Sequence, residues 1–191
     1  MTDNFIPTLT HATERDIDLL LVEELYASRN FVNWVIQHVD ITKPVLEWEV
    51  KHSKNRTRSR REIDISLYIV HKDKTRSVIL IENKLDAEEQ PNQAESYREE
   101  LRILSSKFEL TRMIIVCPQD YQDTHQNFTE KFDVCLTYQA IQDWFINAKK
   151  EAIAEMALRY KFRAELLSQA IYKHRRGYTP VPDSVVGDFN A

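Results

Sequence analysis

The chain has 191 residues, 42% of them hydrophobic and 29% charged, which is typical of one soluble globular domain and not of a disordered or membrane-spanning chain. Its two glycines, Gly177 and Gly187, both lie near the C-terminus, which excludes an early glycine-rich phosphate loop and with it most nucleotide-dependent enzymes. Cys117 and Cys135 match no zinc-binding spacing, and the first residues do not form a secretory signal. We therefore expect a reduced, cytoplasmic protein that does not associate with a membrane.

Two helices are predicted near the N-terminus. The first runs from Thr13, which can cap its start, to about Ser28, and acidic residues in its first turn favour this end of a helix. Its buried face is one apolar stripe, formed by Ile17, Leu20, Leu21 and Leu25. A second helical segment is predicted over residues 31–39.

Three strands follow, at residues 45–50, 63–70 and 77–84. Between the first two lies a basic segment, residues 51–61, which contains six cations and no acid. The cations are Lys51, Lys54, Arg56, Arg58, Arg60 and Arg61. We interpret this segment as a mobile loop that binds the phosphate backbone of a nucleic acid, and the alternative is a solvated loop that balances the acidic first fifty residues.

The second half of the chain alternates helices and strands. Pro91 suits the first turn of a helix that runs to about Lys107, and strands are predicted over residues 111–117 and 132–138. Helices then continue from residue 139 to residue 176. Strands in the middle of the chain with helices before, between and after them predict an α/β fold with an αβββαβ core, a mixed central sheet flanked by helices, and extra C-terminal helices.

The strands at 63–70 and 77–84 predict an antiparallel hairpin, because only the polar turn around Asp73 separates them. A hairpin centred on Asp73 places Asp64 opposite Glu82, with their Cβ atoms roughly 5 Å apart. Lys84 lies two residues beyond Glu82 and therefore projects from the same face.

Two carboxylates placed opposite each other on a sheet repel, and a divalent cation would relieve this repulsion. Mg²⁺ prefers oxygen ligands, which Asp64, Glu82 and the backbone carbonyl of Asn83 can supply. A cation-bound water beside Lys84 is suited to the hydrolysis of a phosphodiester. The alternative is an ordinary surface pair of Glu82 and Lys84 at an exposed strand end.

The segment ILIENKLDAEEQPNQAESY resembles the PD-(D/E)XK nuclease superfamily, in particular a branch with I-E-N-K followed by Q-P-x-Q-x-x-x-Y. The resemblance implies a restriction-endonuclease-like fold and a nuclease that depends on Mg²⁺, with Mn²⁺ as a substitute. It assigns catalytic roles to Asp64, Glu82 and Lys84, and supporting roles to Gln93 and Tyr97. Gln93 would contact a metal-bound water, Lys84 or a phosphate. Tyr97 would close over the site or stack near the strand, and plain core packing is the alternative for Tyr97.

Members of this superfamily often add a glutamate from the first helix to the metal site. Glu23 and Glu24 are the candidates, and we prefer Glu24 because it falls within the apolar stripe, where a buried carboxylate needs a partner. A buried hydrogen bond is the alternative for Glu24.

We expect a nuclease core over residues 1–148, a C-terminal helix over residues 149–176 that packs on this core or on a partner, and an extended tail over residues 177–191. The resemblance favours DNA as the nucleic-acid substrate, and the long C-terminal helix could form a homodimer. Two other functions remain open: a catalytically silent member of the fold that binds nucleic acid or protein, and a nuclease that is ligand-activated or acts on RNA.

Overall fold

The computed structural model describes residues 12–56 and 62–176. Its helices are α1 (Glu14–Ala27), α2 (Arg29–Gln37), α3 (Gln93–Leu104), α4 (Gln119–Thr124), α5 (Gln126–Thr129), α6 (Tyr138–Glu151) and α7 (Ala154–Arg176). Its strands are β1 (Val45–Asn55), β2 (Glu62–His71), β3 (Arg76–Asn83), β4 (Leu110–Cys117) and β5 (Val134–Thr137). None of the described helices is both long and apolar enough to span a membrane.

The five strands form one mixed sheet in the order β1-β2-β3-β4-β5. Neighbours among the first three strands are antiparallel, whereas β3, β4 and β5 run parallel to one another. Helix α3 connects β3 to β4, as a crossover between parallel strands requires. The mixed sheet, its flanking helices and the two C-terminal helices confirm the predicted α/β class and agree with a restriction-endonuclease-like fold.

The hairpin of β2 and β3 has the predicted register. Its pairs run from Val70 opposite Arg76 to Ile65 opposite Ile81, each pair equidistant from Asp73. The turn is held by Asp73, whose carboxylate accepts hydrogen bonds from the backbone amide and the hydroxyl of Thr75 at 3.0 and 2.6 Å. Asp64 therefore lies one residue beyond the last Ile65–Ile81 pair, at the end of the sheet where β3 also ends.

Each face of the sheet is covered by its own apolar core. One core joins α1, α2, α6 and α7 to the sheet, with Phe31 and Phe145 among its fully buried rings. The other joins α3, α4 and α5, with Tyr97 and Tyr121 fully buried. Residues of β3 alternate between the two cores, since Ile81 belongs to the first and Leu80 to the second. The end of β3 can therefore supply side chains to both sides of the sheet.

The structure differs from the sequence prediction around residue 50. β1 continues to Asn55, which pairs with Glu62, so Lys51 and Lys54 belong to a strand and not to a loop. Charged side chains do not end this strand because β1 is at the edge of the sheet, where they remain solvated. Arg58, Arg60 and Arg61 lie outside the described residues, as does the predicted tail over residues 177–191.

Two short helices were missed by the sequence prediction. Both α4 and α5 lie between β4 and β5, in a stretch for which no element was predicted. Each is too short to show a helical apolar period, and only Tyr121, Phe128 and Thr129 are buried there.

Helix α7 packs on α1 and α6 and contributes Leu167 and Ala170 to the first core. Arg163 of α7 is almost fully buried and forms ion pairs with two carboxylates of α1. Its Nη1 contacts Glu24 Oε2, and its Nη2 lies 2.9 Å from Glu23 Oε1. These ion pairs connect the C-terminal helix to the first helix.

Candidate active site

The ends of β2 and β3 bring the predicted residues together. Alternation along β3 directs Glu82 toward α3 and Asn83 toward α1, because Leu80 and Ile81 already face these two sides. Gln93 and Tyr97 are four residues apart on α3 and share the face that packs on the sheet.

Asp64 is held by two hydrogen bonds to neighbouring elements. Its Oδ2 accepts from the backbone amide of Asn83 at 2.9 Å, and its own amide donates to the hydroxyl of Tyr97 at 3.3 Å. Burial raises the pKa of the Asp64 carboxyl, and this rise is opposed by the Asn83 amide and by the positive charges of Lys84 and Arg56. The side chain is therefore fixed in position but is costly to ionise.

Glu82 is 2% exposed and lies at the centre of the cluster. The side-chain amide of Gln93 donates to its Oε1, and the Nζ of Lys84 lies 3.4 Å from the same oxygen. Burial and the charge of Asp64 together raise the pKa of Glu82 to about 8, against the lowering effect of a hydrogen bond with Tyr97 and of the charge of Lys84. The two carboxylates thus interact electrostatically, as expected for a pair that shares one cation.

Lys84 is buried and directly follows β3. Its backbone amide donates to the carbonyl of Val116 at 2.8 Å, which continues the pairing of β3 with β4 by one residue. A buried ammonium group is held at low cost only beside a counter-ion, and Glu82 fills this role. The alternative of a surface pair between Glu82 and Lys84 is excluded, because both side chains are at most 4% exposed.

The side chain of Asn83 is held on the opposite side of the sheet. Its Nδ2 donates to the backbone carbonyl of Glu14 at 2.9 Å, and its Oδ1 accepts from the hydroxyl of Tyr138 at 2.7 Å. The Glu14 carboxylate also accepts from the backbone amides of Leu85 and Ala87, at 2.8 and 3.2 Å. Helix α1 therefore fixes the turn that follows the cluster.

Asp18 is a candidate that the sequence analysis missed. Burial and the charge of Asp64 together raise its pKa to about 7, against the lowering effect of a hydrogen bond with Asn83. Its Oδ1 is buried and has no hydrogen-bond partner in the described parts of the chain. Asp18 follows Glu14 by four residues, so both lie on one face of α1, which begins after the capping residue Thr13. This spacing of two acidic residues is the sequence feature that could have identified Asp18.

Glu24 is not brought to this cluster. It is 1% exposed, as expected from the apolar stripe, but it faces α7 and pairs with Arg163. A helical wheel identifies a buried position without showing which element covers it. Asp18, and not Glu24, is therefore the residue of the two that interacts with Asp64.

Three cations of the basic segment are described. Lys51 is exposed and lies 3.2 Å from a carboxylate oxygen of Glu49, and the Nζ of Lys54 donates to the hydroxyl of Tyr68 at 2.7 Å. Both ammonium groups lie over the ring of Tyr68, at 5.6 and 5.0 Å from its centroid. Arg56 is different, because it is 7% exposed and lies near Asp64.

The oxygen atoms at this site suit a hard divalent cation. Within residues 12–56 and 62–176, no three His, Cys, Asp or Glu side chains are arranged to hold a metal by themselves. Mg²⁺ typically takes only one or two carboxylates and completes its shell with other oxygens and water. Asp64, Glu82 and the carbonyl of Asn83 match that requirement in number and type, and the unpartnered Oδ1 of Asp18 is a further acceptor.

Comparison with known proteins identifies the family. A family model of the PD-(D/E)XK nuclease superfamily matches residues 8–169, most of the chain. No curated protein and no solved structure matches the chain. The matched range includes both strands of the hairpin, helix α3 and most of α7, and thus every residue of the cluster described above. The chain therefore belongs to the PD-(D/E)XK nuclease superfamily.

Proposed function

We propose that this protein is a metal-dependent nuclease that hydrolyses phosphodiester bonds of DNA. The observation that supports this function is the buried cluster of Asp64, Glu82 and Lys84 at the ends of two paired strands. Burial and mutual repulsion raise the pKa of Glu82 to about 8, and an arrangement so costly is expected where a cation and an anionic substrate complete it. A purely structural ion pair would need only one carboxylate beside Lys84, whereas this cluster contains two.

Asp64, Glu82 and the Asn83 carbonyl would hold Mg²⁺, for which Mn²⁺ can substitute. We assign Asp18 as the carboxylate that α1 adds to this site. A divalent cation bound there would acidify a water molecule and neutralise charge on the phosphate. Gln93 donates to Glu82 and thereby orients the carboxylate, and Tyr97 does the same through its hydroxyl.

Lys84 is the residue that we place at the reacting phosphate. In hydrolysis the water oxygen forms a bond to phosphorus, the bond from phosphorus to one sugar oxygen breaks, and a proton from water is transferred to that leaving oxygen. The ammonium group of Lys84, 3.4 Å from Glu82, can donate a hydrogen bond to the attacking water or to a non-bridging phosphate oxygen. Its burial keeps this donor in place.

The basic residues near this site would bind the phosphates that flank the scissile bond. Lys51 and Lys54 lie on β1, next to β2, which carries Asp64. We assign the same role to Arg58, Arg60 and Arg61. Such contacts do not depend on the base sequence, so we expect affinity that falls with added salt and cleavage without strong sequence preference.

Cleavage of labelled duplex DNA, single-stranded DNA and RNA tests this function. Each substrate is incubated with Mg²⁺, with Mn²⁺ or with EDTA, and the wild type is compared with Lys84→Ala, Asp64→Ala and Lys149→Ala. Lys149 is exposed on α6 and serves as the matched control. We expect cation-dependent cleavage of DNA that Lys84→Ala and Asp64→Ala abolish and Lys149→Ala retains. Binding of DNA without cleavage would contradict the proposal and indicate a silent member of the fold.

A further inference from the structure

Arg56 is the one described cation of the basic segment that is buried. It directly follows β1 and is 7% exposed, whereas Lys51 is exposed. Its guanidinium carbon lies 4.6 Å from the centroid of the Tyr97 ring, and its Nη1 donates to the hydroxyl of Ser96. Two neighbouring residues of α3 therefore hold the guanidinium group in one orientation.

The hydrogen-bonding capacity of Arg56 is only partly used. Its Nε is buried and has no hydrogen-bond partner among residues 12–56 and 62–176, and no carboxylate of these residues forms an ion pair with the group. A buried guanidinium N–H without an acceptor is costly, so its retention suggests an acceptor that arrives with a ligand. Since the group is a cation, an anion would compensate for its burial best.

Arg56 is also close to the candidate cation site. The ring on which it lies belongs to Tyr97, whose hydroxyl accepts from the amide of Asp64. An anion that reaches both Arg56 and a cation held at Asp64 would be the scissile phosphate of the substrate.

We propose that Arg56 is a catalytic residue whose guanidinium group donates to the non-bridging oxygens of the scissile phosphate. This inference rests on the proposed function. As water adds to phosphorus and the bond to the leaving oxygen breaks, negative charge grows on those oxygens, and a preoriented guanidinium stabilises it. Arginine remains protonated throughout, so it transfers no proton. Its planar fork matches two phosphate oxygens better than an ammonium group does.

Single-turnover kinetics with excess enzyme test this role, because they separate cleavage at saturation from binding. The variants are Arg56→Met, which keeps an apolar chain on Tyr97, Arg56→Lys, which keeps the charge, and Lys54→Gln. Affinity is measured with Ca²⁺ in place of Mg²⁺. We expect Arg56→Met to cleave about 100-fold more slowly at saturation, the loss typical of removing one transition-state donor, with little change in affinity. The saturated cleavage rate of Arg56→Lys should lie between those of Arg56→Met and the wild type. Lys54→Gln should mainly weaken the binding of DNA.

The Mg²⁺ concentration at half-maximal rate distinguishes a catalytic role from support of Tyr97. If Arg56 only held Tyr97 in place, its replacement would act on cation binding through Asp64 and would raise this Mg²⁺ concentration. If Arg56 contacts the phosphate, its replacement would leave this concentration unchanged. A saturated rate for Arg56→Met within threefold of the wild type, or a loss that saturating Mg²⁺ restores, would overturn the assignment. A wild-type protein that cleaves no phosphodiester would overturn the proposed function as well, so the two failures are distinguishable. If Arg56→Met does not fold, an Arg56→Lys protein with the full wild-type rate also overturns it.

Discussion

The backbone amide of Asp64 donates a hydrogen bond to the hydroxyl of Tyr97, 3.3 Å away, so a fully buried helix residue is connected directly to the strand that carries the first candidate ligand. The same hydroxyl interacts with Glu82. One phenol therefore spans both carboxylates of the cluster. This role goes beyond those considered from sequence, which were closure over the site, stacking near the strand and plain core packing.

Replacement of Tyr97 by phenylalanine removes only this hydroxyl. It leaves the buried amide of Asp64 without its acceptor and removes a hydrogen bond that lowers the pKa of Glu82. We expect a loss of about 1–3 kcal/mol in the free energy of unfolding, the usual cost of an unsatisfied buried group. Urea denaturation measures the loss, and Tyr172→Phe is a control on an exposed tyrosine. Equal stability of wild type and Tyr97→Phe would show that this hydrogen bond contributes nothing.

Asp18 and Glu24 can be distinguished by the cation dependence of cleavage. Because Asp18 interacts electrostatically with Asp64 whereas Glu24 pairs with Arg163, we expect Asp18→Asn to require a severalfold higher Mg²⁺ concentration for half-maximal activity. Glu24→Gln should keep the wild-type requirement. The measurement is the initial rate of cleavage against Mg²⁺ concentration for the three proteins. A shift confined to Glu24→Gln would restore the assignment made from the helical wheel.

The contacts of this site that depend on a short turn could be predicted from the sequence, whereas contacts between elements distant in the chain could not. Asp64 and Glu82 were placed together because a short turn centred on Asp73 fixes the hairpin register. Glu24 was correctly predicted to be buried, but its partner Arg163 is 139 residues away, and no local pattern encodes which helix covers a stripe. The extent of β1 was underestimated for a related reason, because pairing with β2 stabilises Lys51 and Lys54 in a strand despite their charge.

The ion pairs of Arg163 should stabilise the packing of α7 on α1. Arg163→Ala would leave the buried carboxylate of Glu24 without its cation, and such a loss typically costs about 3–5 kcal/mol. Arg159→Ala is the matched control, because its pair with Glu155 is exposed and should contribute at most about 1 kcal/mol. Urea denaturation of both variants gives the comparison. Similar small losses of unfolding free energy in Arg163→Ala and Arg159→Ala would indicate that the buried ion pair does not stabilise the packing of α7 on α1.

The stability of the metal-free protein should fall as pH rises. The pKa values of Asp18 and Glu82 are raised to about 7 and about 8, so the folded protein favours their protonated forms. Their favourable contribution is complete below the pKa of the unfolded chain, near pH 4, and is lost as pH rises through the folded values. Thermal unfolding in EDTA between pH 5 and pH 9 measures this trend.

Two comparisons test whether the carboxylates of this site cause the fall in stability with pH. Glu82→Gln should show a shallower decline in melting temperature, since it removes the group with the higher pKa. Added Mg²⁺ binds the ionised carboxylates, so it should raise the melting temperature more at pH 8 than at pH 6. A stability that rises steadily from pH 5 to pH 8 in EDTA would contradict the repulsion inferred for this site.

We propose above all that Asp64 and Glu82 share one divalent cation with the carbonyl of Asn83. Crystals grown with Mn²⁺ test it directly, because anomalous scattering locates this ion independently of the protein model. We expect one peak about 2 Å from a carboxylate oxygen of each residue, the distance of a hard cation to its oxygen ligands. The same peak should be absent from crystals of Asp64→Asn. A fully occupied ion elsewhere, or carboxylates too far apart to reach one ion, would show that Asp64 and Glu82 do not share a cation.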